Sequence, residues 1–251
     1  AGTLRSALPP FFALQTHRPD WQAHAALTGM VSPITVITGG PGTGKTTPVL
    51  WLLAAWIGQR LHAGEPVPRV HLAAPTGKAA ARLSESMRVR VAELGVDEAV
   101  RAVIPQTAST LHRLLGVRRG SNRFRHHAAH PLDTDLVVVD EVSMVDLPLM
   151  AKLLDALPAH ARLVLLGDRD QLASVEAGNV LAAVCSAAGE GAMSPARAAL
   201  VAAVTGAAVA GDAAAAPFAD AVIGLRDSHR FGRDSGLGRI AAMIRDGDAT
   251  G

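Results

Sequence analysis

Apolar residues along this chain fall into two recurring patterns: short β-branched runs, and longer stretches at helical spacing. The runs are Ile34–Thr38, Val70–Ala74, Leu136–Val139, Leu163–Leu166 and, less sharply, Ala221–Leu225. Each is followed by a turn signal and then by helical periodicity. Val49, Leu50, Leu53, Trp56 and Ile57 make one apolar stripe after the first run, and a helix over Leu147–Leu157 is closed by Pro158. Strands covered on both faces need near-continuous apolar runs of this kind. The alternation predicts an α/β fold, a mainly parallel sheet with helices on both faces.

Two stretches depart from the alternation. Residues 187–217 are alanine-rich and carry no motif; they read as a helical insertion within the domain, with a partner-binding insertion as the alternative. A last helical pattern runs through Leu237, Ile240, Ala241 and Ile244. No repeat appears at solenoid spacing.

Composition narrows the class. With 251 residues, 49% hydrophobic and 18% charged, the chain can bury a substantial core and is neither disordered nor fibrous. Its net charge of +2 confines any nucleic-acid surface to a local patch. The sole cysteine, Cys185, forms no internal disulfide and suits a reducing compartment. Pro9, Pro10 and Arg18 interrupt the only apolar run near the start, and residues 198–211 are too short and too weakly apolar to span a bilayer. The expectation is a soluble cytoplasmic protein with no membrane partner.

Candidate chemistry follows the first run. Residues 39–46 read Gly-Gly-Pro-Gly-Thr-Gly-Lys-Thr, the Walker A pattern, after a predicted strand and before a predicted helix. Glycines let the backbone N–H groups turn toward phosphate oxygens, and the helix N-terminus adds partial positive charge. Gly40, Gly42, Thr43, Gly44, Lys45, Thr46 and Thr47 are the candidate ATP-binding residues. Lys45 would reach the β- and γ-phosphates, and the Thr46 hydroxyl would ligate Mg2+. Leu136–Val139 runs into Asp140 and Glu141, as a Walker B strand does: Asp140 is the metal-side carboxylate and Glu141 the candidate base. The polar loop after Leu163–Leu166 would bring the Gln171 amide near the γ-phosphate.

These motifs come with others. Gly-Asp-Arg-Asp-Gln-Leu-Ala-Ser-Val-Glu-Ala-Gly at 167–178, Pro-Thr-Gly-Lys-Ala-Ala at 75–80 and Thr-Leu-His-Arg-Leu-Leu-Gly at 110–116 resemble the RecD family of superfamily 1 helicases. This family includes the alpha subunits of exodeoxyribonuclease V. Asp-Glu-Val-Ser-Met at 140–144 and Ser-His-Arg-Phe at 228–231 support the likeness, which runs from about Trp21 to Gly247. It implies a RecA-like P-loop NTPase that uses ATP and Mg2+ to move 5′ to 3′ on single-stranded DNA in recombinational double-strand break repair. RecB-like and RecC-like subunits are the implied partners. Gln22 falls where such helicases keep a glutamine that reads adenine, an ordinary helix-surface glutamine being the alternative. Arg230 falls on the arginine that approaches the γ-phosphate.

DNA contacts are implied at Pro75, Thr76 and Lys78, where a strand end meets a helix start and backbone N–H groups can hold a phosphate without reading sequence. Thr110 and His112 resemble the neighbouring DNA-binding motif, and Thr110 also suits a helix N-cap. Residues 117–130 hold Arg118, Arg119, Arg123 and Arg125 about a Gly120-Ser121-Asn122 turn, a basic hairpin open to DNA, to a partner or simply to solvent.

Set out as domains, residues 1–30 form an N-terminal segment carrying Gln22, and 31–251 the first RecA-like motor domain. The second such domain is expected to lie outside this chain. Two departures from the family pattern matter. His229 replaces a more usual tyrosine, and Pro48 occupies a place where a helix former is usual; were Gly44 the N-cap, Pro48 would delete the first intrahelical bond. A stand-alone RecD-like helicase and an ATP-switched binding module with weak hydrolysis are the alternative readings.

Overall fold

The computed structural model describes residues 20–118, 120, 123–171, 180–189, 193–206, 208–216 and 218–225. Arg230 and its neighbours 228–231, the pattern at 237–244, residues 172–178, Arg119, Ser121 and Asn122 lie outside them.

Six strands form one sheet: β1 (Ile34–Thr38), β2 (Val70–Ala74), β3 (Ala108–Thr110), β4 (Leu136–Val139), β5 (Arg162–Gly167) and β6 (Val222–Gly224). Their order is β3-β2-β4-β5-β1-β6, and every pairing is parallel. Alternation along each strand divides the core. On β4, Leu136 and Val138 face one layer while Val137 and Val139 face the other.

The first layer holds α1 (Trp21–Val31), α2 (Thr46–His62), α3 (Gly77–Glu93) and the short α4 (Glu98–Val103). Their Ala26, Leu53, Met87 and Val100 share a core with Ile37, Leu72 and Val164 of the sheet. The second layer is α5 (Leu111–Leu115), α6 (Leu147–Ala156) and α7 (Val180–Ala188), which press Leu111, Leu115, Leu153 and Leu181 onto Val36, Val137 and Leu165. Cys185 is buried in this layer as a free thiol. No helix among the described residues is long and apolar enough to cross a membrane.

The alanine-rich stretch contains a definite helix, α8 (Pro195–Thr205). Ser194 is its N-cap, Pro195 opens it and Gly206 closes it at φ 73°. Ala198, Val201 and Val204 pack against Leu27 of α1. The Ser194 hydroxyl donates to Asp220 at 2.6 Å, and Arg197 donates to the Ser32 hydroxyl at 2.7 Å, fixing both ends of the contact.

Under this helix lies His24, only 6% exposed. Burial and the nearby Arg197 charge lower its pKa from 6.5 to about 4, against an opposing pull from Asp220. A depressed histidine stays neutral in the fold while the unfolded chain takes up a proton. Stability is therefore unaffected above pH 6.5 and falls with acid until about pH 4, by roughly 3 kcal/mol in total. Denaturant melts at pH 7 and pH 4.5 should differ by less in His24→Gln than in the parent protein; an equal difference in both would remove His24 as the acid-sensitive group.

Pro48 needs a correction. Helix α2 begins at Thr46 with Lys45, not Gly44, as its cap residue, so Pro48 sits in the first turn. N–H groups there have no intrahelical acceptor to lose. The Gly44 carbonyl is instead taken by the Thr47 N–H at 2.9 Å. The buried proline is compatible with this helix start.

Candidate active site

Parallel strands place all their carboxyl ends on one edge of the sheet, and ligands of open α/β sheets bind there. The candidate residues are gathered at this edge. β1 runs into residues 39–45, β4 into Asp140 and Glu141, and β5, which lies between them, into the loop that reaches Gln171. β2 runs into Pro75 and β3 ends at Thr110 farther along.

Glycines set the form of the phosphate loop. Gly42 and Gly44 are left-handed, at φ 82° and 77°, a conformation that costs other residues about 1–2 kcal/mol each. Gly39 is required for a different reason, because a Cβ there would stand 2.9 Å from the Leu225 carbonyl after β6. Thr43 is buried and folds its hydroxyl back onto the Gly40 carbonyl at 2.9 Å. The Lys45 ammonium lies inside the turn, donating to the carbonyls of Gly39 at 2.6 Å and Gly40 at 3.3 Å. Thr46 and Thr47 follow as the first helical residues of α2.

Gln22 stands in the first turn of α1, whose N-cap Asp20 accepts from the Gln22 and Ala23 N–H groups. Its amide donates to the Thr43 carbonyl at 3.2 Å, so this glutamine is joined to the phosphate loop.

Asp140 and Glu141 share a sharp turn. Burial pushes the Asp140 carboxyl above its usual range, and Glu141's charge adds to that. The N–H of Glu141, at 2.9 Å from Oδ1, and the charges on Lys45 and Arg82 pull the other way. Glu141 is the sole non-glycine residue at positive φ among those described, at 54°. It caps the 3-10 turn Val142–Met144 without a side-chain bond to it, which leaves the carboxylate available.

The Ser143 hydroxyl of this turn donates to the Gln171 side chain at 2.8 Å, linking the Asp140 strand to the β5 loop. Sequence reading quoted Ser143 only as part of a motif and assigned it no role. The Arg90 guanidinium, from the far end of α3, donates to the Thr47 hydroxyl at 2.8 Å, a contact with no sequence signal at all.

A lysine ammonium, threonine hydroxyls and a half-buried carboxylate are the donor set that a nucleotide polyphosphate with a hard divalent cation needs. The residues fit that ligand.

The candidate DNA residues line the β2 and β3 end of the edge. Thr76 caps α3, its hydroxyl accepting from the Ala79 N–H at 3.2 Å, and both Thr76 and Lys78 are exposed. Thr110 caps α5 in the same way, accepting from Arg113 at 3.2 Å. His112 is exposed and meets the Phe124 ring edge-on, centroids 5.7 Å apart. Phe124 bridges antiparallel to Val117 about Gly120, which has φ 75°. Val117, at the start of the basic stretch, therefore pairs with Phe124 within it, and Phe124 rests on His112.

Comparison with known proteins gives this arrangement a family. Residues 22–177 match the AAA domain family. The chain is similar to the RecBCD enzyme subunit RecD of Haemophilus influenzae, 42% identical over 253 residues, taking in 98% of this chain and 38% of that protein. To the same-named subunit of Mycolicibacterium smegmatis it is 46% identical over 229 residues, 91% of this chain and 36% of that one. The chain belongs to the RecD family of AAA-domain proteins. The family likeness extends to the ATP-dependent RecD2 DNA helicase of Deinococcus radiodurans, at 45% identity over 157 residues, 62% of this chain and 18% of the helicase. Across the RecD subunits from Haemophilus and Mycolicibacterium, the chain spans less than two fifths of the relative's length.

Proposed function

We propose that this chain is the first motor domain of an ATP-dependent DNA helicase that moves 5′ to 3′ on single-stranded DNA. In this reading it serves, in the cytoplasm, within a complex of the RecBCD kind, beside RecB-like and RecC-like subunits. The observation that carries it is one sheet edge bearing both the phosphate loop with Asp140 and Glu141, and the capped helix starts at Thr76 and Thr110. The kinship with RecD subunits and with a RecD2 helicase supports it.

In this reading Lys45 leaves the Gly39 and Gly40 carbonyls for the β- and γ-phosphate oxygens. Gln22 reads adenine, Thr46 and Asp140 hold the cation, and Glu141 takes a proton from the attacking water. Gln171, held by Ser143, orients that water, and Arg230 approaches the γ-phosphate. Bound Mg2+ neutralises charge on the phosphates. A second RecA-like domain in the whole protein would contribute another arginine and the rest of the DNA track.

The reading is tested by strand displacement with the full-length protein, comparing duplexes with a 5′ or a 3′ single-stranded tail. ATP-dependent opening of the 5′-tailed substrate is expected; preference for the 3′ tail would overturn the polarity, and opening of neither would overturn the motor. Lys78→Ala should weaken single-stranded binding about equally for all sequences, and should shrink the log–log salt slope by roughly 0.7. An unchanged slope would return Lys78 to the solvated surface.

A further inference from the structure

Helix α3 touches both halves of the candidate site. Its first turn carries exposed Thr76 and Lys78. Twelve residues beyond Lys78, roughly 18 Å along the axis, Arg90 donates to the Thr47 hydroxyl at 2.8 Å. The rod between them is firmly held. Leu83, Met87 and Val91 are buried in the core, and the Ser84 hydroxyl donates to Ala80 while accepting the Ala108 N–H of β3, both at 2.8 Å. Thr47 in turn is tied to the loop, its N–H donating to the Gly44 carbonyl at 2.9 Å.

An arginine fits the task at Thr47 because its planar head keeps a fixed donor direction while its stem spans the gap between two helices.

We propose that Arg90 is a positioning residue that carries the state of the DNA-contacting end of α3 to the phosphate loop through Thr47, making DNA and nucleotide affinities depend on each other. The inference rests on the motor reading above. A packed helix shifts as a unit, so a phosphate gripped at Thr76 and Lys78 displaces Arg90, and Thr47 with it. Coupling of this kind is reciprocal: the factor by which DNA tightens nucleotide equals the factor by which nucleotide tightens DNA.

The test measures affinity for a non-hydrolysable ATP analogue with Mg2+, in the presence and absence of saturating oligo-dT. It uses the full-length protein as wild type, Arg90→Met and Arg90→Lys. Methionine keeps the apolar stem and removes the donor; lysine keeps a charged donor. The wild-type ratio should fall in the range of about 5–150. It should drop at least roughly threefold in Arg90→Met, with Arg90→Lys recovering at least about half of the loss. A merely structural Arg90 would weaken the analogue equally with and without DNA, and that unchanged ratio would overturn the inference while leaving the motor standing. A wild-type ratio of one would also overturn the inference, while strand displacement by the same protein decides the motor separately.

Discussion

Glu141→Gln in the full-length protein is expected to bind Mg-ATP close to wild-type affinity while losing about 10²–10⁴-fold in turnover. The backbone at this residue explains why the effect falls on chemistry. Glu141 is held at φ 54°, and its N–H is spent on Asp140 Oδ1 at 2.9 Å. Its own carboxylate is not used by the turn it caps. Glutamine keeps the shape and the backbone bond but cannot accept the proton of an attacking water. Strain at this position supplies a second readout. Glu141→Gly should be equally inactive yet more stable by about 1 kcal/mol, because glycine adopts the left-handed conformation without penalty. Single-turnover phosphate release and a denaturant melt decide it together: an active Gln variant would remove Glu141 as the base, and a Gly variant of reduced stability would remove the strain.

Lys45→Ala should lose about 100-fold or more in Mg-ATP affinity without unfolding. Two charge-assisted hydrogen bonds to phosphate, at roughly 1.5–3 kcal/mol each, set that scale. In the structure the ammonium satisfies the Gly39 and Gly40 carbonyls in a half-buried turn. Its loss leaves oxygens that water can still reach, so the melting midpoint should move little. Calorimetric titration showing unchanged affinity in a folded Lys45→Ala protein would sink the phosphate-loop assignment. Loss of binding together with loss of the melt would point instead to Lys45 as a structural brace.

The strands that were legible in sequence are those whose side chains meet both layers. Ile34–Thr38, Val70–Ala74 and Leu136–Val139 are observed at the predicted boundaries. β5 starts one residue earlier than its apolar run because Arg162 pairs with Leu136. The charge of Arg162 is accommodated by the carbonyls of Gly29 and Met30 and by the Trp56 ring, 4.9 Å away. β3 had no such signal. Ala-Ser-Thr is too short and too polar to read as a strand, and it is held by pairing with Leu72–Ala74 and by the Ser84 hydroxyl. Helix α8 falls within the alanine-rich stretch read as helical, and its bounds follow the Ser-Pro start and the Gly206 stop.

The site divides along the same line. Motifs fixed by local backbone form, the phosphate loop and the cap at Thr110, could be read directly. Links between distant residues, Gln22 to Thr43, Ser143 to Gln171 and Arg90 to Thr47, exist only once the sheet brings its edge together.

The strand order also bears on how the chain is made. β1 precedes the other five described strands along the chain, yet its two neighbours in the sheet are β5 and β6, the last described strands to follow it. Until those emerge from the ribosome, the apolar Ile34–Thr38 segment lacks both of its strand partners. Pairings that join such distant parts of a chain form slowly, and the waiting strand is open to association with other chains. The nucleotide site is thus assembled only after the last described strands of this sheet have been made, and holding chaperones should engage nascent chains that end before Arg162 more strongly than those that extend past Gly224.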